Sequence, residues 1–284
     1  MTSSRPARRF DWNNLGMRAA SAAVLIPAVL GSIFLGPVFL VVIAISVALL
    51  AFEWGAMSTA RVRGGAAAFL TIFVLAALFA AYLHNFLLAW TLVGLGAFAA
   101  AWFAYFMTER PGDAAFGVVY IAAPCLALTW LRAMPNPIGW TILLFAITWS
   151  ADIFAYVAGN TLKGPKLWPS LSPNKTWSGL VGGLAGAMVV AMAVAEGAKW
   201  VAWRWDISTI RLGLLAAALI GLAGGVATMA GDLCESMLKR RFGVKDSGDL
   251  IPGHGGLLDR VDGLLFAVLA VAGARMIYQS GWAQ

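Results

Sequence analysis

Apolar residues run along this chain in stretches too long for the core of a soluble domain, and short polar segments punctuate them. A helix needs about 20 apolar residues to cross ~30 Å of hydrocarbon. Nine stretches meet that need, near 19–35, 37–57, 67–84, 86–107, 114–134, 138–160, 179–200, 211–235 and 262–279. Gly36-Pro37 separates the first two and His84-Asn85 the third and fourth, so each pair forms a hairpin with almost no loop. The pattern predicts an all-α integral membrane protein of about nine transmembrane helices and one structural domain. It divides into a basic tail over 1–18, membrane helices over 19–135 and a C-terminal membrane region over 136–284 that holds most of the polar sequence.

Composition supports the membrane reading. The 284 residues are 61% hydrophobic and only 12% charged, with mean hydropathy +0.82, whereas soluble domains carry roughly 25% charge. Arg5, Arg8, Arg9 and Arg18 precede an apolar run that continues to about Ala51, far longer than the h-region of a signal peptide, so the run reads as retained helices. A net charge of +7 could suggest nucleic acid. In a membrane protein, however, basic residues mark cytoplasmic loops and anionic headgroups, and no basic run interleaved with aromatics is present. With the N-terminus cytoplasmic, 15 of the 20 basic residues fall on one side, and Arg132, Lys199, Arg204, Arg211 and Arg275 fall on the other. That bias is what the positive-inside rule requires. Trp54, Trp130, Trp168, Trp200 and Trp203 fall at predicted helix ends, where indole prefers the interface. Cys125 and Cys234 lie in apolar helix and match no disulfide or metal spacing. Glycine pairs four apart, Gly179/Gly183, Gly182/Gly186 and Gly221/Gly225, predict close helix approach.

Polar residues are scarce, so their clustering is informative. Asp152 lies within the sixth stretch, and Asp152, Tyr156 and Asn160 share one helical stripe. A carboxylate at such depth faces a protein-lined polar cavity by default. Asp232, Glu235, Ser236 and Lys239 make a second stripe on the eighth stretch, which a salt-bridged helix end would also produce. The following KRRFGVKDSGDLIPGHGGLLDRVDG sets Lys239, Arg240, Arg241, Lys245 and Arg260 beside Asp246, Asp249, Asp259 and Asp262, with His254 among glycines. Basic groups hold phosphate oxygens and carboxylates hold Mg²⁺, so the mixture points to phosphate chemistry. GHGG alone would equally describe a flexible turn, and the KRR run alone a positive-inside anchor. No GxxxxGK[ST], no strand-linked GxGxxG and no HExxH is present, which disfavours a soluble-type NTPase, a dinucleotide enzyme or a membrane zinc protease. A transporter or channel would share the helices and the intramembrane aspartate but has no need of this loop.

The run SMLKRRFGVKDSGDLIPGHGGLLDRVD, Ser236 to Asp262, resembles the signature of the phosphatidate cytidylyltransferases, the CDP-diacylglycerol synthases. It agrees at Ser236-x-x-Lys239-Arg240, at Lys245-Asp246, at Pro252-x-His254-Gly255-Gly256 and at Asp259-Arg260-x-Asp262. SPNKTWSG, Ser172 to Gly179, is similar to the family's Ser-Pro-Lys-Lys-Thr-x-Glu-Gly element and departs from it at Asn174 and Ser178. Both motifs lie in the C-terminal region, which the resemblance therefore marks as catalytic. The resemblance implies CTP and phosphatidic acid as substrates, a cytoplasm-facing active-site cavity in the inner membrane, Mg²⁺ with K⁺ as a candidate second cation, and a homodimer. It implies Asp232 and Asp259 as metal-holding and catalytic carboxylates, with Asp246 and His254 assisting proton handling or orientation. Asp152, Ser172, Lys175, Thr176, Ser236, Lys239, Arg240, Lys245, Arg260 and Asp262 are the expected substrate-binding residues. A relative acting on another lipid phosphate or alcohol is the nearest alternative.

Overall fold

The computed structural model describes residues 27, 29–59, 63–205, 209–248, 250 and 255–280. Eight long helices account for most of them: α1 (Gly36–Ser58), α2 (Arg63–Tyr82), α3 (Phe86–Phe106), α4 (Pro111–Ala133), α5 (Pro137–Thr161), α6 (Trp177–Trp205), α7 (Leu214–Arg241) and α8 (Leu258–Gln279). All eight are long and apolar enough to cross a membrane. Of the first predicted stretch, residues 29–34 are helical and most of the rest lies outside the described residues. The all-α expectation holds, with one short hairpin added to it. Between α5 and α6, β1 (Lys166–Trp168) and β2 (Ser172–Thr176) pair antiparallel, with Lys166 opposite Thr176 and Trp168 opposite Ser172.

Consecutive helices pack on one another, so the connections alternate between two ends of the bundle. One end carries the α3–α4 turn, the β hairpin and the long α7–α8 connection. The other carries the tight α2–α3 and α4–α5 turns, where His84 and Asn136 adopt left-handed φ of 60° and 56°. Two boundaries move charged residues from loop to helix. α7 continues to Arg241, six residues past its apolar stretch, which sets Lys239, Arg240 and Arg241 in its last turn, where cations complement the helix dipole. α8 starts at Leu258, four residues before its apolar stretch, so Asp259 and Asp262 stand in its first turns.

The expected glycine pairs do seat helices against each other. Cβ atoms added at Gly179 and Gly183 would lie 2.9 and 2.8 Å from the carbonyl oxygens of Ala155 and Ala151 on α5. At Gly221 a Cβ would lie 2.6 Å from the Ala187 carbonyl oxygen on α6. Trp54 departs from its expected place at the membrane interface. It is buried, its indole Nε1 donates to the Asp113 carbonyl at 3.0 Å, and Gly117 leaves room for its ring.

A close seam joins α7 to α8. A Cβ on Gly231 would sit 2.3 Å from the Asp262 carbonyl oxygen, and one on Gly263 would sit 3.0 Å from Asp232 Oδ1. This backbone contact brings Asp232 and Asp262 side by side. Gly231→Ala should therefore force the helices apart and cost about 1–3 kcal/mol. Gly273→Ala, which meets open space on α8, should stay within about 0.5 kcal/mol of the parent. Denaturant unfolding in micelles measures both, and equal stabilities would refute the tight seam.

Candidate active site

A cavity of about 750 Å³ opens among α5, the β hairpin, α6 and α7. Asp152, Tyr156 and Asn160 reach it from α5, Lys163 and Lys166 from the following segment, Asn174, Lys175 and Thr176 from β2, and Asp232 from α7. The stripe on α5 thus faces the polar cavity that a buried carboxylate needs. Lys175 Nζ donates to Asp232 Oδ2 at 2.7 Å, with both side chains about one-quarter exposed. Asp152 interacts electrostatically with Asp232 and Lys175. Three lysines and two carboxylates therefore share one pocket beside the amino end of α6.

The hairpin has a local cause. Thr176 Oγ1 accepts from Gly179 N at 3.1 Å, closing the amino end of α6 as a helix cap does. Gly159 and Gly179 let α5 and α6 meet there, since a Cβ on Gly159 would lie 3.0 Å from Thr176 Oγ1. Ser178, where the motif departs from its usual glutamate, donates its hydroxyl to the Lys163 carbonyl. A short side chain so tethers the lysine-bearing segment directly to α6.

A second cluster lies across the α7–α8 seam. Lys239 Nζ contacts Glu235 Oε2 and Asp259 Oδ1, each at 2.6 Å, and these side chains are 15%, 2% and 12% exposed. Asp259 Oδ2 also accepts from the amides of Ser247 at 3.1 Å and Gly256 at 3.2 Å. The carboxylate therefore folds the α7–α8 connection over the start of its own helix. Asp262 accepts from its neighbour's amide, Gly263 N, at 2.8 Å and feels the charges of Asp232 and Glu235. At such burial a charge needs a partner or amide, and Glu235 Oε1 is left without a hydrogen-bond partner among the described residues.

Glu53, on α1, is a buried residue beside the site that sequence reasoning missed. It is 1% exposed, and its carboxylate accepts from Leu257 N at 2.6 Å, Leu258 N at 2.7 Å and Ser247 Oγ at 3.1 Å. Helix starts leave amides unpaired and favour negative charge, which explains why α8 begins four residues earlier than its apolar pattern. Gly256 is required beside it, because a Cβ there would lie 2.9 Å from both Glu53 oxygens and 1.8 Å from Ser247 Oγ. The signal was available in sequence: Glu53 is a lone carboxylate in an apolar run, as Asp152 is. Nearby, Arg241 pairs with the buried Asp113 of α4.

Of the expected site residues, Asp152, Lys175, Thr176 and Asp232 come together in the cavity. Lys239, Asp259 and Asp262 gather beside it at the seam. Ser172 lies on β2 and Ser236 is half-buried on α7. Arg240, Lys245, Asp246 and Arg260 are exposed and do not line the cavity. His254 lies outside the described residues. Lys163 and Lys166, which carry no motif signal, do line the cavity. Among the described residues, no group of three or more His, Cys, Asp or Glu is arranged to hold a metal ion.

Residues 16–277 match the model of the Cytidylyltransferase family. A phosphatidate cytidylyltransferase of Brucella abortus (strain 2308) is 37% identical over 286 residues, covering 95% of this chain and 94% of that protein. One from Pseudomonas aeruginosa is 33% identical over 278 residues, covering 94% and 98%. One from Rickettsia conorii is 37% identical over 199 residues, covering 70% and 83%.

Removing the Glu53 carboxylate leaves two buried amides and a hydroxyl unmet. Glu53→Ala should cost on the order of 3 kcal/mol, and Glu53→Gln, which keeps one acceptor oxygen, should cost less. Unfolding midpoints together with limited proteolysis of the 242–257 connection test this. Unchanged protease resistance in Glu53→Ala would show that the carboxylate does not hold the loop.

Proposed function

The chain belongs to the Cytidylyltransferase family, and from that premise we propose that it transfers the cytidylyl group of CTP to phosphatidic acid, giving CDP-diacylglycerol and pyrophosphate for phospholipid synthesis. The observation that carries this reading beyond family membership is the cavity in which Lys163, Lys166 and Lys175 face Asp152 and Asp232. Both substrates are polyanions, and one of them is anchored in lipid. A lysine-lined pocket at a helix end of a membrane bundle suits both.

A phosphate oxygen of phosphatidic acid attacks the α-phosphorus of CTP, and the bond to the bridging oxygen of pyrophosphate breaks in line. The lipid phosphate is already largely ionised near neutral pH, so no strong base is needed. The residues bring two anions together and offset their repulsion. Lys163 and Lys166, set at the mouth by the Ser178 tether, hold the polyphosphate as point charges. Lys175 stands ready against Asp232 and turns to a phosphate oxygen when substrate enters, which frees the carboxylate. Lys239 does the same against Asp259. Arg240, Lys245 and Arg260 attract the substrates from the exposed rim, and Asp246 and His254 assist orientation.

Mg²⁺ fits the donor set. Hard oxygen ligands are what it prefers, and it commonly takes one or two carboxylates and completes its shell with water and substrate phosphates. A three-acid cage is therefore not required. Asp232 is suited to hold it directly, and Asp259 once Lys239 leaves its Oδ1; K⁺ as a second cation would use the same oxygens. When bound, the cation neutralises phosphate oxygens and stabilises the leaving pyrophosphate. The end bearing the hairpin and the α7–α8 connection faces the cytoplasm of a cell whose inner membrane holds the protein, a reading supported by its basic residues. A homodimer rests on the family resemblance alone.

Purified protein in liposomes with phosphatidic acid, Mg²⁺ and labelled CTP should move label into the lipid phase. ATP, GTP and UTP should not substitute, and chelator should stop the transfer. Asp232→Asn should lower kcat by roughly 100-fold or more while the protein stays folded. Lys175→Met should mainly raise KM for CTP. Transfer from no nucleotide by folded protein would direct the search to another lipid acceptor, and full activity in Asp232→Asn would remove that residue's assigned role.

A further inference from the structure

The end of the bundle away from the lysine-lined cavity holds a second polar site. A cavity of about 250 Å³ lies between the α4–α5 turn, residues 209–211 and the last turn of α8. Arg275 forms part of its wall and is 2% exposed. Its guanidinium stacks over the Trp140 ring, 4.8 Å from the centroid, and Nη2 donates to the Pro135 carbonyl at 2.5 Å. Nε and Nη1 have no hydrogen-bond partner among the described residues. Buried guanidinium nitrogens are ordinarily satisfied, because leaving a charged donor unmet is costly. No acidic side chain lines the cavity among the described residues, while the exposed Arg211 does.

Two further features favour an anion there. The amino end of α5, a 25-residue helix, borders the cavity at Asn136, so the positive end of its dipole adds to Arg275. Nε and Nη1 lie on different edges of the guanidinium, each shared with Nη2, whose second N–H the Pro135 carbonyl leaves over, so a phosphate can be gripped through two hydrogen bonds on such an edge. Trp140 holds that edge in place from behind.

We infer that the Arg275 cavity binds a phosphate-type oxyanion, the chemistry shared by an anionic phospholipid headgroup and free phosphate. It is separate from the catalytic pocket. Arg275 lies 16 residues along α8 from Asp259, ~24 Å at the helical rise. The exposed Trp200, Trp203 and Trp205 mark the same end of α6, at the depth where indole rings meet headgroups. The site is therefore placed to receive lipid from the leaflet opposite the catalytic face, where it would tie α4, α5 and α8 together.

The test uses the full-length protein in micelles, with native mass spectrometry and thermal unfolding as readouts of binding rather than turnover. The probes are phosphatidylglycerol, phosphatidylcholine with the same tails, and inorganic phosphate. Arg275→Gln should retain phosphatidylglycerol about tenfold more weakly than the parent, the loss expected for one charge-assisted pair. Arg110→Gln, at an exposed residue outside both cavities, should retain it like the parent. A rise in Tm with phosphate that Arg275→Gln lacks assigns the site to the free anion, and a rise with phosphatidylglycerol alone assigns it to the headgroup. Equal retention and equal Tm shifts in parent and Arg275→Gln overturn the inference, as does equally Arg275-dependent retention of zwitterionic phosphatidylcholine. Should Arg275→Gln fail to fold without its bond to Pro135, Arg211→Gln carries the comparison, and parent-like retention there overturns it.

Discussion

The α7–α8 connection and the start of α8 depend on a carboxylate from the first half of the chain. Glu53 stands on α1, some 200 residues before the helix whose amino end it closes, and three donors from the α7–α8 connection converge on it. Without that negative charge the first amides of α8 would be buried and unpaired, and the chain would gain little by turning helical before Val261. With it, α8 begins at Leu258, Asp259 and Asp262 take fixed places on its first turns, and Ser247 is drawn under the connection. The N-terminal helices thus supply one of the charges that shapes the C-terminal region.

Charge in the site is arranged in pairs that substrate can exchange. Lys175 lies on Asp232 and Lys239 on Glu235 and Asp259. A buried pair of this kind contributes little net stability, because desolvation offsets most of the attraction. Its effect is to hold lysine and carboxylate aimed at one another. On the function proposed above, entering phosphates would take the ammonium groups and leave the carboxylates to a cation, an exchange that would keep charge paired in a partly dry pocket.

Much of this was legible in sequence, for reasons that differ by residue. The membrane helices followed from apolar length, and Asp152 and Asp232 followed from the cost of placing carboxylates in apolar helix. The glycine pairs correctly marked the α5–α6 and α6–α7 seams. Helix ends were less legible. Apolar periodicity stops where charge begins, so α7 and α8 were read too short, although cations at a carboxyl end and a carboxylate at an amino end are what helices favour. Glu53 was passed over because its partners lie far along the chain, and no local spacing announces backbone amides. Lys163 and Lys166 belong to no motif. They reach the pocket because β1 folds back on β2, a pairing set by a turn rather than by hydrophobic pattern.

Glycine explains why the two clusters of charge can be neighbours at all. At Gly231 and Gly263 the backbones of α7 and α8 approach more closely than any side chain would allow, and they do so one position from Asp232 and Asp262 respectively. Interhelical spacing there is set by main chain, while Coulomb repulsion between the carboxylates opposes it. Lys175 and Lys239 stand on either side of this acidic seam and offset the repulsion, each from a different element. The seam therefore holds opposing forces in balance, and the glycines set how closely the carboxylates lie. Packing that in most membrane bundles serves only association here also fixes the spacing of buried charges.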